Sequence, residues 1–76
     1  MRKALVLVNT NLGSEREVEA EVKKILGVTG VYHVYGVYDM VIEVESASDQ
    51  DLKDVIFSKI RTLKNVRSTL TLTTTS

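Results

Sequence analysis

The chain has 76 residues, with ten basic and ten acidic side chains that leave no net charge, and it contains no cysteine. This length suits one domain with a small core, and the lack of cysteine excludes disulfides, thiol chemistry and cysteine-based metal sites. The even charge balance disfavours a nucleic-acid-binding protein, which normally carries a basic excess.

The start of the chain predicts a strand and no targeting segment. Residues 4–8 are an apolar, partly β-branched run that ends at polar residues before Gly13, as a strand does. This run is too short for a signal peptide or a membrane span. We therefore expect a cytoplasmic protein that does not contact a membrane.

The next segment predicts a helix over residues 14–26. Ser14 and Glu17 have the spacing of a capping box, in which each side chain bonds the backbone amide of the other residue. Lysines near the end and Gly27 just after it favour a helix C-terminus there. The apolar residues recur at helical spacing: Val18, Val22, Ile25 and Leu26.

The second half of the chain predicts strand, strand, helix and strand. Residues 31–37 are rich in valine and tyrosine and form the second strand, and residues 40–45 form the third. Ser48 is the expected N-cap of a second helix. The apolar stripe of that helix is Leu52, Val55, Ile56, Ile60 and Leu63. Residues 66–73 form the fourth strand. Its expected faces are Val66, Leu70 and Leu72 on one side, and Arg67, Thr69, Thr71 and Thr73 on the other.

The element order βαββαβ predicts an α+β, ferredoxin-like domain over residues 1–76. Right-handed crossovers place both helices on one face of a four-stranded antiparallel sheet, with the first and third strands in its centre. The first strand is apolar on both sides, because Leu5 and Leu7 face away from Val6 and Val8. A second apolar face on so small a domain favours a sheet-to-sheet dimer, as in a dimeric α/β-barrel.

Two groups of residues are candidates for ligand binding. In the turn Gly36, Val37, Tyr38 and Asp39, the glycine allows a positive φ or a close approach to a ligand. The aspartate can cap backbone amides or hold a ligand ammonium group, and a plain hairpin turn fits equally well. Along the fourth strand, Thr69 and Thr71 present hydroxyls that either face solvent or contact a polar ligand.

We identify no catalytic residue, metal ligand or cofactor motif in the sequence. His33 is the only histidine, and no cluster of acidic residues around it indicates a metal. It is expected to pack against a sheet face. No phosphate loop, nucleophile–base pair or cysteine motif is present.

Two blocks of sequence resemble the effector-binding domain of the leucine-responsive regulator/AsnC family, the RAM domain. They are residues 30–44, Gly-Val-Tyr-His-Val-Tyr-Gly-Val-Tyr-Asp-Met-Val-Ile-Glu-Val, and residues 66–71, Val-Arg-Ser-Thr-Leu-Thr. The resemblance implies sheet-to-sheet homodimers that assemble further and bind an amino acid or a related small effector between dimers. It implies that residues 36–39 form one wall of the site and that Asp39 contacts the effector's ammonium group. Thr69 and Thr71 would come from another subunit.

The same resemblance implies a regulatory module, not an enzyme. Family members that bind DNA carry a helix-turn-helix domain, which this sequence does not show. We therefore expect a stand-alone module that senses an effector and co-assembles with full-length regulators or metabolic partners. Two alternatives stay open: a structural assembly module without a ligand, and a dimeric α+β-barrel enzyme using His33 or Tyr35 as acid or base.

Overall fold

The computed structural model describes residues 2–73, which form one antiparallel sheet with the helices packed on one of its faces. The strands are β1 (Arg2–Thr10), β2 (Val28–His33), β3 (Met40–Ser46) and β4 (Val66–Thr73). The helices are α1 (Glu15–Lys23) and α2 (Asp49–Asp54), and α2 continues as a π-helical segment (Val55–Ile60). The strand order β2-β3-β1-β4 confirms the predicted ferredoxin-like order, with β1 and β3 in the centre.

The core lies between the helices and one face of the sheet. Val6 of β1 pairs with Ile42 of β3, and both are fully buried. Alternate residues of the two central strands point the same way, which explains the strict alternation of buried and half-buried positions. The apolar core residues are Ala4, Val6, Val8, Val18, Val22, Met40, Ile42, Val44, Leu52, Val55, Ile56 and Ile60.

Helix α1 is shorter than predicted and begins without a capping box. The Ser14 hydroxyl donates to the carbonyl of Asn11, and Glu17 accepts from the side chain of Asn65. The prediction of a capping box is therefore wrong, because both side chains form hydrogen bonds with loop residues instead. The helix ends at Lys23, so the predicted apolar face keeps Val18 and Val22 but leaves Leu26 exposed.

Strand β2 begins three residues earlier and ends four residues earlier than the predicted strand. His33 pairs with Met40, which is the first residue of β3, so residues 34–39 form a loop between the strands. The Val34 amide donates to the carbonyl of Asp39 at 2.9 Å and closes this loop. The valines and the tyrosine at positions 34–37 favour a strand by residue type. They are not part of one, because the ladder with β3 ends at His33 and Met40.

The second helix begins as predicted and changes from an α-helix to a π-helix after Asp54. The Ser48 hydroxyl accepts from the amide of Asp51 at 3.2 Å, which confirms the N-cap. At the far end, the Arg61 amide donates to the carbonyl of Ile56 at 3.0 Å, a five-residue step that is typical of a π-helix. The predicted apolar stripe survives this change, because Val55, Ile56 and Ile60 are all buried.

A β-bulge changes the face of one residue in β4. Ser68 pairs with Asn9 and Val66 pairs with Thr10, so Arg67 has no partner in the ladder. Val66 consequently packs against the core, on the side opposite to Leu70. The prediction that Val66 shares a face with Leu70 and Leu72 is therefore wrong, because it assumed strict alternation.

The sheet face away from the helices is apolar over much of its area. Leu7 of β1 pairs with Leu70 of β4 and with Val41 of β3, and paired residues point to the same face. Leu70 is 45% exposed, Leu72 48% and Tyr32 54%. At the other end of this open face, Lys3 and Glu43 form an ion pair at 3.8 Å. We call the apolar part, which consists of Leu5, Leu7, Tyr32, Val41, Leu70 and Leu72, the open-face patch.

Candidate functional site

Asp39 is held in place through its backbone and its side chain. Its amide donates to the carbonyl of Val8 at 3.0 Å, and its carbonyl accepts from the amide of Val34. Its carboxylate oxygen Oδ2 accepts from the amide of Thr10 at 2.9 Å and from the hydroxyl of Thr10 at 3.3 Å. These bonds tie the loop of residues 34–39 to the end of β1.

Thr10 is the residue that sequence reasoning missed. It is only 4% exposed and lies on the core face, in line with Val6 and Val8. A signal was available, because alternation along the first strand places this hydroxyl inside the protein. A buried hydroxyl needs a hydrogen-bond partner, and here the partner is Asp39.

The rest of the loop exposes apolar side chains. Gly36 has φ +142, a conformation that favours glycine, and a Cβ built there would meet no atom within 4 Å. The glycine is therefore needed for the backbone turn and not for close packing within the protomer. Tyr35 and Val37 are largely exposed, whereas Tyr38 is half-buried. The loop thus presents an apolar tip next to a fixed carboxylate.

Thr69 and Thr71 lie on the helix side of the sheet and apart from Asp39. Thr69 pairs with Val8 on one side of β1, whereas the Asp39 amide bonds Val8 on the other side. Asp39 and Thr69 are therefore about two strand spacings apart, roughly 10 Å. Thr71 lines an open groove of about 540 Å³ between β4 and the second helix. One protomer does not bring the two groups together, so their joint role stays a prediction that requires a second subunit.

His33 takes part in an ion-pair cluster with helix α1. Its Nε2 lies 2.6 Å from Oε1 of Glu19, and Oε2 of Glu19 lies 2.7 Å from Nζ of Lys23. The hydrogen bond from Lys23, and then that from His33, lowers the pKa of Glu19 from its ordinary value of 4.5 to about 2. His33 pairs with the buried Met40 and therefore lies on the helix face of the sheet, where its ring contacts helix α1.

The cluster predicts a pH dependence of stability with a defined sign. The pKa of Glu19 is lower in the folded than in the unfolded chain, so its contribution is complete above about pH 4.5 and is lost towards pH 2. We expect Glu19→Gln to lower the urea midpoint at pH 7 and to have little effect near pH 2. Glu21→Gln, on the same helix but without an ion pair among the described residues, is the control. Equal effects of the Glu19 change at both pH values would contradict the assignment.

Two further features of the described residues concern metal binding and membrane spans. Within residues 2–73, no three histidine, aspartate or glutamate side chains are grouped so that they could hold a metal ion. In the same range, no helix is long and apolar enough to cross a membrane. An open depression of about 800 Å³ lies at the far end of β3 from Asp39, between Leu26 and the second helix.

The protein is thus a ferredoxin-like α+β domain. At one end of its sheet, the loop of residues 34–39 carries an aspartate that is hydrogen-bonded to β1. Residues 3–76 match the family profile described as the Lrp/AsnC ligand binding domain. The chain therefore belongs to the Lrp/AsnC family, as its two sequence blocks indicated.

Relatives of known structure or sequence are consistent with this membership. An uncharacterized HTH-type transcriptional regulator of Pyrococcus furiosus is 30% identical over 59 residues, which are 78% of this chain and 39% of the relative. A hypothetical protein from Pyrococcus horikoshii is similar in structure, with a TM-score of 0.91, 35% identity, and coverage of 97% of this chain and 89% of that one.

A third relative was solved with a ligand. The feast or famine regulatory protein from M. tuberculosis, complexed with L-methionine, superimposes with a TM-score of 0.81 at 28% identity. The match covers 100% of this chain and 51% of that one. The chain thus spans about two fifths of the Pyrococcus furiosus regulator and about half of the mycobacterial one.

Proposed function

We propose that this protein is a regulatory module that binds an amino acid or a related small effector and assembles into homodimers and larger oligomers. The observation that carries the proposal is the match of residues 3–76 to the Lrp/AsnC ligand binding domain. The mycobacterial relative complexed with L-methionine supports an amino acid as the effector.

The effector site is proposed at residues 36–39, between subunits. Asp39 offers a carboxylate for an ammonium group, and its oxygen Oδ1 has no hydrogen-bond partner among residues 2–73. Val37 and Tyr35 offer apolar contacts beside it. Thr69 and Thr71 of a second subunit would contact the effector's polar groups.

The open-face patch is proposed as the dimer interface. Leu70, Leu72 and Tyr32 are each about half exposed, and Leu5 and Leu7 lie beside them. Packing two such faces together removes this apolar area from water and enlarges a small core. An effector that bound one oligomeric state better than another would shift the protein toward that state.

The module is proposed to regulate by binding other proteins in the cytoplasm. The balance of ten basic and ten acidic residues gives no basic excess for direct DNA binding. Full-length regulators of the same family are the proposed hetero-assembly partners, because they carry the same dimerising domain. We assign the module no catalytic step.

Thermal unfolding in the presence of each of the twenty amino acids, beginning with L-methionine, tests the proposal. An effector at about 100 times its dissociation constant stabilises the folded state by roughly 2.7 kcal/mol, which raises the Tm of so small a domain by on the order of 10 °C. We expect Asp39→Asn to abolish the shift, because the amide keeps the shape but not the charge.

Asp49→Asn is the control, since it removes the charge of an exposed aspartate that pairs with Arg2, far from the loop. A shift retained by Asp49→Asn and lost by Asp39→Asn would place the site at the loop. No shift with any amino acid would overturn the proposed effector class.

A structural assembly module without a ligand is the second candidate. The engagement of Asp39 by Thr10 favours it, because a carboxylate that closes a loop needs no other role. Sedimentation equilibrium separates the two candidates. The structural module keeps the same oligomer with and without amino acids, whereas the sensor changes its oligomer distribution.

A further inference from the structure

We infer that Thr10 is a positioning residue of the effector site, which orients the Asp39 carboxylate so that one defined oxygen faces the ligand. This inference rests on the proposed function and deepens it. Thr10 does not contact the effector itself; it acts through Asp39. The amide and the hydroxyl of Thr10 both donate to the same oxygen, Oδ2.

The hydroxyl of Thr10 is not explained by the needs of the core. Thr10 continues the inward series of Val6 and Val8, and valine would have the same shape at this position. The backbone amide of Thr10 would still donate to Oδ2 if the hydroxyl were absent. Within residues 2–73, the hydroxyl donates only to Asp39, so the contact that distinguishes threonine from valine at this position is the one to that carboxylate.

Thr10 is itself held in place by pairing between β1 and β4. It pairs with Val66 beside the bulge of β4. The next residue, Asn11, donates from its amide to the carbonyl of Asn65 at 2.9 Å and from its side chain to Oδ1 of Asn65 at 3.2 Å. A donor on a strand residue that is paired in the sheet can hold a carboxylate more accurately than a loop residue can.

The orientation has a direct consequence for binding. With Oδ2 occupied by two donors, Oδ1 is the carboxylate oxygen of Asp39 that remains for an ammonium group. Thr10→Val removes one donor and places a methyl group against Oδ2. The backbone amide of Thr10 is then the one remaining donor to Oδ2 among the described residues. The carboxylate is held less firmly, and part of its orientation must be ordered on binding.

The test compares Thr10→Val, Thr10→Ser and a matched control, Thr29→Val. Thr29 also donates its hydroxyl to a carboxylate, Oε1 of Glu43 at 3.0 Å, but at the other end of the sheet. L-methionine is the first probe, followed by any other amino acid that stabilises the wild type. The dissociation constant is measured by calorimetry, and the Tm is measured without ligand.

We expect Thr10→Val to weaken binding roughly tenfold or more, since hydrogen bonds to charged groups are among the strongest. Thr10→Ser, which keeps the hydroxyl, should bind within about threefold of the wild type, and Thr29→Val within about twofold. A structural role alone would lower the Tm of Thr10→Val and leave the dissociation constant unchanged. That result, or a serine variant as weak as the valine variant, would overturn the inference.

Amide exchange separates the failure of this inference from the failure of the proposed function. The amides of Val34 and Asp39 both close the loop, and their exchange reports its order without any ligand. We expect at least about tenfold faster exchange in Thr10→Val and wild-type rates in Thr29→Val. If no amino acid binds the wild type, the proposed effector class fails. Unchanged exchange in Thr10→Val would show that Thr10 does not position the loop.

Discussion

Replacing Leu7 with glutamate is expected to give a folded protein in which the proposed dimer is strongly weakened. Leu7 lies in the middle of the open-face patch, directly opposite Leu70 and Val41. In a twofold dimer each substitution acts twice, because the same surface meets itself. Loss of two leucine contacts at about 1.5–3 kcal/mol each, together with the burial of unpaired carboxylates, weakens the dimer by roughly 100-fold or more.

Sedimentation equilibrium across protein concentrations measures this effect, and circular dichroism checks that the variant is folded. Ala20→Glu is the control, since Ala20 is exposed on helix α1 and the same charge is added away from the sheet. It should associate like the wild type. A Leu7→Glu variant with the dimer affinity of the wild type would show that subunits pair through another surface.

Replacing Ile42 with alanine is expected to cause a large loss of stability. Ile42 is fully buried in the central strand β3, between Val6 of β1 and Val31 of β2. Truncation of such a side chain costs about 2–5 kcal/mol, because the transfer energy is lost and a cavity remains. Domains of this size are stable by roughly 4–11 kcal/mol, so the loss is a large part of the total.

Urea unfolding followed by circular dichroism measures the loss, in the Leu7→Glu background so that association does not contribute. Ile42→Val is the matched control, and it should cost only about 0.5–1.5 kcal/mol because it removes a single methylene. A cost below about 1 kcal/mol for Ile42→Ala would mean that the neighbouring strands close around the site.

The strand order could be predicted from the order of the elements and the handedness of their crossovers. The core-facing residues could be predicted because alternation is a local property of the sequence. Val6 and Val8 face one way and Leu5 and Leu7 the other, whichever strands lie beside them. Strand ends are different, because they depend on the partner. Val34 has the residue type of a strand but lies outside β2, since the first residue of β3 already pairs with His33.

The candidate site was predictable only in part, for a similar reason. A glycine and an aspartate in a short turn single out Gly36 and Asp39 from residue type alone. The hydrogen bond that orients Asp39 comes from Thr10, which is 29 residues earlier in the chain. Such a contact exists only once β1 and β3 are paired. The direction of Thr69 and Thr71 also depends on pairing with β1, which turns them toward the helices.

The bulge at Arg67 is a position in β4 where the strand carries one residue more than its partner strand. Thr10 pairs with Val66 and Asn9 with Ser68, so the ladder already skips Arg67. A chain without this residue would keep both pairs in an unbroken ladder and would still direct Val66 into the core. We therefore expect the fold to tolerate deletion of Arg67, whereas a deletion elsewhere in β4 would turn its leucines to the opposite face.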